Sequence, residues 1–239
     1  MSNKLAVNPD KNLNFDLYHG TSTLFLDSIV QHGLGAINPV KEWNILDLCR
    51  EVYELSEEYL RDTQLYANSI HSFKMMAEQS NEKVFNYQHG DTYLSPAKST
   101  AIRYAINKEY GSEMLTYTID FLKELLKKEI SYVSTELYQK YWKIYDLIEA
   151  KPSPLLVQIK NVNINSLLSE KGDDPIINLN ILQDFIKEGN ESFEIMGQQL
   201  NFRLTTPIDL KNLQFWLINV HKYHQFAPLY NLYEIKTGI

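Results

Sequence analysis

Between Pro39 and Gly90 the chain contains neither glycine nor proline, and no other feature narrows its fold more. A stretch of that length without a breaker predicts one or two long helices. Within it Ile45, Leu48, Val52, Leu55 and Tyr59 step by three, four, three and four, one apolar stripe for burial against a core. A second helical block, 119–149, carries Phe121, Leu122, Leu125 and Leu126, then Leu137, Tyr141, Ile144 and Ile148. Shorter helices are expected after Thr21-Ser22-Thr23, closed by His32-Gly33, over 98–110, stopped at Gly111, and over 177–187. Strand-like segments surround these blocks at 14–20, 91–96, 155–159, 193–196, 198–205, 213–220 and 229–235. Strands that flank helical blocks without regular βαβ alternation predict an α+β fold. The blocks at 41–80 and 119–150 read as helical insertions on the sheet-based core of a single domain, 1–239.

The 239 residues, 44% of them hydrophobic, suffice for one substantial core. No apolar run reaches the roughly 20 residues that span a bilayer, and the N-terminus lacks a signal-peptide hydrophobic region. A lone Cys49 rules out an internal disulfide and a cysteine-rich metal site. The expectation is a cytoplasmic protein without a membrane partner, in the host cytosol if it is a secreted effector. A net charge of −7 argues against a broad nucleic-acid coat. His221 and His224 lack acidic or cysteine companions at ligand spacing, so no metal is expected. Lys123, Lys127 and Lys128, interleaved with Glu124 and Glu129, read as a solvated helix face, Gln88-His89-Gly90 as a turn, and Glu234 as an exposed strand position.

Three stretches combine chemistry-bearing residues: Tyr18-His19-Gly20-Thr21-Ser22 at a strand–turn–helix junction; Tyr93-Leu94-Ser95 followed by Ala101, Tyr104 and Ala105; and 198–213, ending in Asp209-Leu210-Lys211-Asn212-Leu213. In this order they resemble the ADP-ribosyltransferase superfamily, on the branch of poly(ADP-ribose) polymerases and diphtheria toxin. His19-Gly20-Thr21 with Gly33-Leu34 is similar to its first motif. Tyr93 and Tyr104, eleven positions apart, are similar to its second.

The resemblance implies a split antiparallel β-sandwich around an NAD cleft. It implies cleavage of the nicotinamide–ribose bond and transfer of one ADP-ribose to a macromolecular acceptor, protein or nucleic acid. His19 would hold the ribose, Gly20 would offer its backbone to the carboxamide, and Tyr93 and Tyr104 would stack on nicotinamide. Thr21 and Ser95 would line the cofactor site. Where many polymerases carry a serine for the carboxamide this chain has Ala101, leaving Ser95, Ser99 or Thr100 as stand-ins. Chemistry agrees with these residue types: a glycine permits close approach, and two rings can sandwich a flat cation.

The third motif departs from the family, which commonly places a glutamate at the start of a late strand. A gapless alignment puts Gln199 there, and strand alternation sets Gln199, Asn201, Arg203 and Thr205 opposite the core-facing Leu200, Phe202 and Leu204. Glu194 has the other parity and reaches the site only if Gly197 marks a turn or bulge. Gln199 and Glu194 both stay open as the third catalytic residue, with Arg203 as a phosphate or acceptor contact. Without the glutamate, chain elongation is not expected and a single transfer remains. A bacterial or phage-related toxin or effector fits a short chain of this kind, and with it an antitoxin or inhibitor partner. The rival functions are an NAD- or ADP-ribose-binding module without turnover and an RNA 2′-phosphotransferase-like enzyme, for which Arg203 and Arg103 are the basic candidates.

Overall fold

The computed structural model describes residues 5–78, 91–224 and 227–237, so the Gln88-His89-Gly90 turn lies outside the described residues. The chain opens with strand β1 (Leu17–Ser22), a short 3₁₀ turn and helix α1 (Leu26–His32). Helices α2 (Pro39–Glu42), α3 (Ile45–Tyr59) and α4 (Gln64–Ala77) follow, then β2 (Tyr93–Leu94), α5 (Lys98–Asn107) and α6 (Glu113–Lys127). A π-helical turn over Val133–Leu137 leads into α7 (Tyr138–Tyr145). The last third holds β3 (Pro154–Ile159), β4 (Leu167–Ser169), α8 (Ile176–Glu188), α9 (Asn190–Gly197), β5 (Phe202–Leu204), β6 (Leu213–Lys222) and β7 (Leu229–Ile235).

These elements form an α+β structure of two compact units. The first unit, Met1–Ile37, Asp91–Gly111 and Pro152–Ile239, contains both sheets. One has strand order β1-β3-β6-β7 and the other β2-β5-β4, with every pairing antiparallel. The sheets meet at one point, where Tyr18 and Ser95 exchange both backbone hydrogen bonds at 2.8 Å. Alternation sorts the four-stranded sheet: Leu17 on β1, Leu155, Val157 and Ile159 on β3 and Phe215 on β6 are buried on one face. On the other face Leu156 and Ile218 pack with Ala101, Ile102 and Ala105 of α5.

The second unit, Asn38–Gly90 and Ser112–Lys151, is helical among its described residues. α6 buries Met114, Leu115, Ile119, Phe121, Leu122 and Leu125, and Phe73 of α4 stacks on Phe121 with centroids 4.4 Å apart. The inner stripe of α3 begins with Ile45, Leu48 and Val52, as its spacing predicts, but continues through Ser56 and Leu60 while Tyr59 is 38% exposed. At about 100° per residue, Ser56 comes within about 20° of the azimuth of Ile45 and Leu55 about 80° from it, so burial passes to position 56. The buried Ser56 hydroxyl donates to the Val52 carbonyl (2.6 Å). The helix expected over 119–149 starts earlier, at Glu113, and breaks after Lys127, where Glu129 takes a left-handed φ of 55°.

Three further expectations differ. The segment 193–196 is the end of helix α9, not a strand, and the strand expected over 198–205 contracts to Phe202–Leu204. β1 runs through Gly20 to Ser22, so His19-Gly20 lies inside the strand and not in a turn.

Candidate functional site

The fork between the two sheets is where the chemistry-bearing residues gather. Tyr18 spends its backbone groups on Ser95, on the edge of β1 that faces away from β3. Backbone groups two residues apart in a strand point the same way, so the N–H and C=O of Gly20 face that same edge. There β2 has already turned away to pair with β5, Tyr93 opposite Arg203 and Leu94 opposite Phe202. In the gap His19 Nδ1 lies 2.9 Å from the carbonyl of Tyr93. A carbonyl only accepts, so this nitrogen carries the proton and the neutral ring presents Nε2 as a lone-pair acceptor. Burial pushes the imidazole below its ordinary 6.5, and the hydrogen bond to Tyr93 opposes that shift without cancelling it. At neutral pH Nε2 of His19 is therefore a hydrogen-bond acceptor.

Gly20 has a second requirement. A Cβ there would sit 1.9 Å from the Ala101 carbonyl oxygen and 3.1 Å from the Ala105 nitrogen. The bare glycine lets α5 lie directly on β1, and Ala101 and Ala105 bracket Tyr104, which stands 37% exposed on the same helix. On the three-stranded sheet Tyr93, Arg203 and Leu168 are cross-strand neighbours. Burial, then the charge of Asp91, push the Tyr93 phenol up to about 12, with Arg203 pulling the other way and Glu170 adding to the rise. Arg203 pairs with Asp91 (3.2 Å), and its guanidinium packs over Gly172.

Other expected site residues serve the scaffold. The Ser95 hydroxyl, 5% exposed, accepts from the Ala97 N–H (3.2 Å) and donates to the Gly197 carbonyl (3.5 Å), closing the turn from β2 into α5. Thr21 is 2% exposed, and a Cβ on Gly111 would come within 2.7 Å of its hydroxyl. Ser99 accepts from Gln198 Nε2 (3.3 Å). The buried Thr100 hydroxyl has no hydrogen-bond partner among the described residues. Gly33-Leu34 meets the late segment directly, with Leu34 and Ile208 exchanging backbone hydrogen bonds at 3.0 Å.

The two residues left open for the third motif separate. Gln199 is exposed in the turn after α9, not on a strand. Glu194, on α9, takes the N–H groups of Lys98 (3.3 Å) and Ser99 (2.8 Å). Ala97, the N-cap of α5, supplies no side-chain bond, so Glu194 caps the helix from a distance in sequence, a carboxylate at the positive end of the helix dipole. Sequence reasoning missed two further carboxylates beside Tyr93, Asp91 and Glu170. The signal that could have found Glu170 is its two-residue offset from Leu168, but only with the three-residue β4 recognised as a strand. No group of three His, Cys, Asp or Glu side chains that could hold a metal occurs among the described residues. The chain matches no family model, no curated protein and no solved structure.

Proposed function

We propose that the chain is a mono-ADP-ribosyltransferase that takes NAD as its substrate and moves one ADP-ribose to a macromolecular acceptor. The observation that carries this reading is the fork at His19, where an oriented imidazole acceptor lies beside the outward backbone edge of Gly20 and against the carbonyl of Tyr93. A pyridine carboxamide needs one donor and one acceptor in a plane, which a strand edge offers. The ribose hydroxyls need an acceptor such as Nε2, and a cationic ring favours aromatic faces such as Tyr93 and Tyr104. Arg203, held by Asp91, suits a phosphate. In the reaction the C1′–nitrogen bond breaks, its electron pair leaves on nicotinamide, and the sugar takes on positive charge as the acceptor approaches. Holding both fragments in line is the main task of the residues around them.

Incubating the protein with labelled NAD and cell extract tests the proposal. Label on a macromolecule is the expected result, lost in His19→Ala. Protease or nuclease digestion then identifies the acceptor as protein or nucleic acid. One observation favours the rival binding module: Glu194 is engaged as a helix cap and Gln199 lies in an exposed turn. NAD binding without release of nicotinamide would establish that module instead. An effector or toxin role, with an inhibitor partner, belongs to the same proposal; no described helix is long and apolar enough to cross a membrane.

A further inference from the structure

We propose that Glu170 is the catalytic carboxylate of this site, presented by the turn that follows β4 in place of a residue from the strand that follows α9. The inference rests on the transferase reading. Cleaving a glycosidic bond to a cationic leaving group builds positive charge on the sugar, and a nearby carboxylate is the side chain that opposes it. Four carboxylates lie near the fork. Glu194 spends both oxygens on the N-terminus of α5, Asp91 is ion-paired with Arg203, and Asp16 accepts from Gln158 Nε2 at 2.5 Å. Glu170, like Asp16, accepts from one side-chain amide, and its place in the sheet register is what singles it out.

Register places Glu170 on the right face. Tyr93, Arg203 and Leu168 stand side by side across β2, β5 and β4. Carried one residue past the strand ends, the same registers bring Asn201 and Glu170 level on the same face, and their side chains meet there. The opposite face carries Leu94, Phe202 and Leu167, all buried, so the row that includes Glu170 is the polar face of the sheet. Glu170 is exposed, and its Oε2 accepts from Asn201 Nδ2 (3.3 Å), which draws the carboxylate inward over β5. Its charge adds to the rise of the Tyr93 phenol, after burial and Asp91. Tyr93 in turn joins His19 through its carbonyl. An amide at 201, where a carboxylate would sit beside Glu170, avoids like-charge repulsion and orients the one acid present.

In the transfer step Glu170 stabilises the sugar as the C1′–nitrogen pair departs on nicotinamide. It then takes the proton that the acceptor's nucleophile loses on bonding to C1′, and releases that proton to water. Asn201 is a positioning residue. The test uses the full chain with NAD and the labelled extract. Glu170→Gln should slow single-turnover transfer by about 100-fold or more, the range for general acid–base groups. Its NAD affinity, measured by calorimetry, should stay within about threefold and its melting temperature unchanged, since the side chain is exposed. Asn201→Ala should show a smaller loss in rate, again without loss of NAD affinity. Transfer by Glu170→Gln within about threefold of the unaltered protein, in an assay where His19→Ala is inactive, overturns the assignment and leaves the transferase reading standing. An unaltered protein that neither binds nor cleaves NAD removes both.

Discussion

At the scale of single residues, Gly20 answers two demands at once. Its backbone faces the open edge of β1, and its missing side chain admits the Ala101 carbonyl. Gly20→Ala should therefore cost stability before it costs chemistry: a methyl 1.9 Å from a backbone oxygen forces strand and helix apart, at about 1–3 kcal/mol or more. A lower urea midpoint with unchanged slope is the expected result; an unshifted midpoint would mean that α5 is not seated there. His19 makes a pH prediction. Its folded value lies below 6.5, so the unfolded chain takes up the proton first. The contribution to stability is complete above 6.5 and is lost as pH falls through the folded value. NAD binding should follow the same course, holding down to about 6.5 and weakening only in more acid solution, because a protonated ring offers no acceptor. Titrations of binding from pH 8 to 5 would check it. The His19–Tyr93 contact joins residues 74 positions apart. Their meeting was expected only through a family resemblance, since no periodicity links a strand to another so far along the chain.

At the scale of elements, the long strands were the legible ones. β3, β6 and β7 have runs of apolar and aromatic residues that read as strands on their own. The misreadings concern short segments whose state is set by their neighbours. Asn190–Gly197 carries Phe193, Ile195 and Met196, apolar enough for either state, and becomes a helix that packs with α8 and delivers Glu194 to α5. β4 and β5 are three residues each and exist because β2 offers β5 an edge and β5 offers one to β4. Glu194→Ala should then destabilise the protein by about 1 kcal/mol, as for a lost N-cap, and Glu194→Gln, whose single amide oxygen keeps one of the two N–H bonds, by less. If Glu194 instead drives transfer, the glutamine variant would lose turnover at unchanged stability, and measuring both quantities separates the roles. In the helical unit Glu51 of α3 takes hydrogen bonds from Tyr141 (2.8 Å), Tyr132 (3.0 Å) and Lys140. Burial works against its charged form, but those three donors outweigh it and hold the carboxyl below the usual 4.5. The stability this adds is present above 4.5 and lost as pH falls through the lowered value. Glu51→Gln should flatten the acid limb of the stability curve while changing little at pH 8 beyond the lost charge assistance, which acid denaturation followed by circular dichroism would show.

At the scale of the molecule, the helical excursions are one body. α3 and α4 come from the stretch before β2 and α6 from the stretch after α5, yet they share a core. Deleting 41–80 alone would leave Met114, Leu115, Ile119, Phe121, Leu122 and Leu125 of α6 without cover. The shortened chain should aggregate, seen as dye binding and loss of a monomer peak, instead of reporting on acceptor choice. Removing both excursions, with linkers in place of each, is the deletion expected to leave the β-sheet unit folded. A monomeric, cooperatively melting protein after the first deletion would show that α6 stands alone.

The interleaving also sets a clock. β1 waits for its sheet partner: just past its end, the Thr23 hydroxyl accepts from the Ser153 N–H (3.0 Å), 130 residues later, where β3 begins. At ribosomal rates of roughly 5–20 residues per second, the strand carrying His19 emerges on the order of ten seconds before its partner β3 exists. During that interval its neighbours in the finished sheet are unmade, and its apolar residues are open to whatever the nascent chain meets first. Slowing translation lengthens the exposure and speeding it shortens it. The yield of folded protein should therefore depend on codon choice between β1 and β3 more than on codons elsewhere, although not one residue of the product would differ.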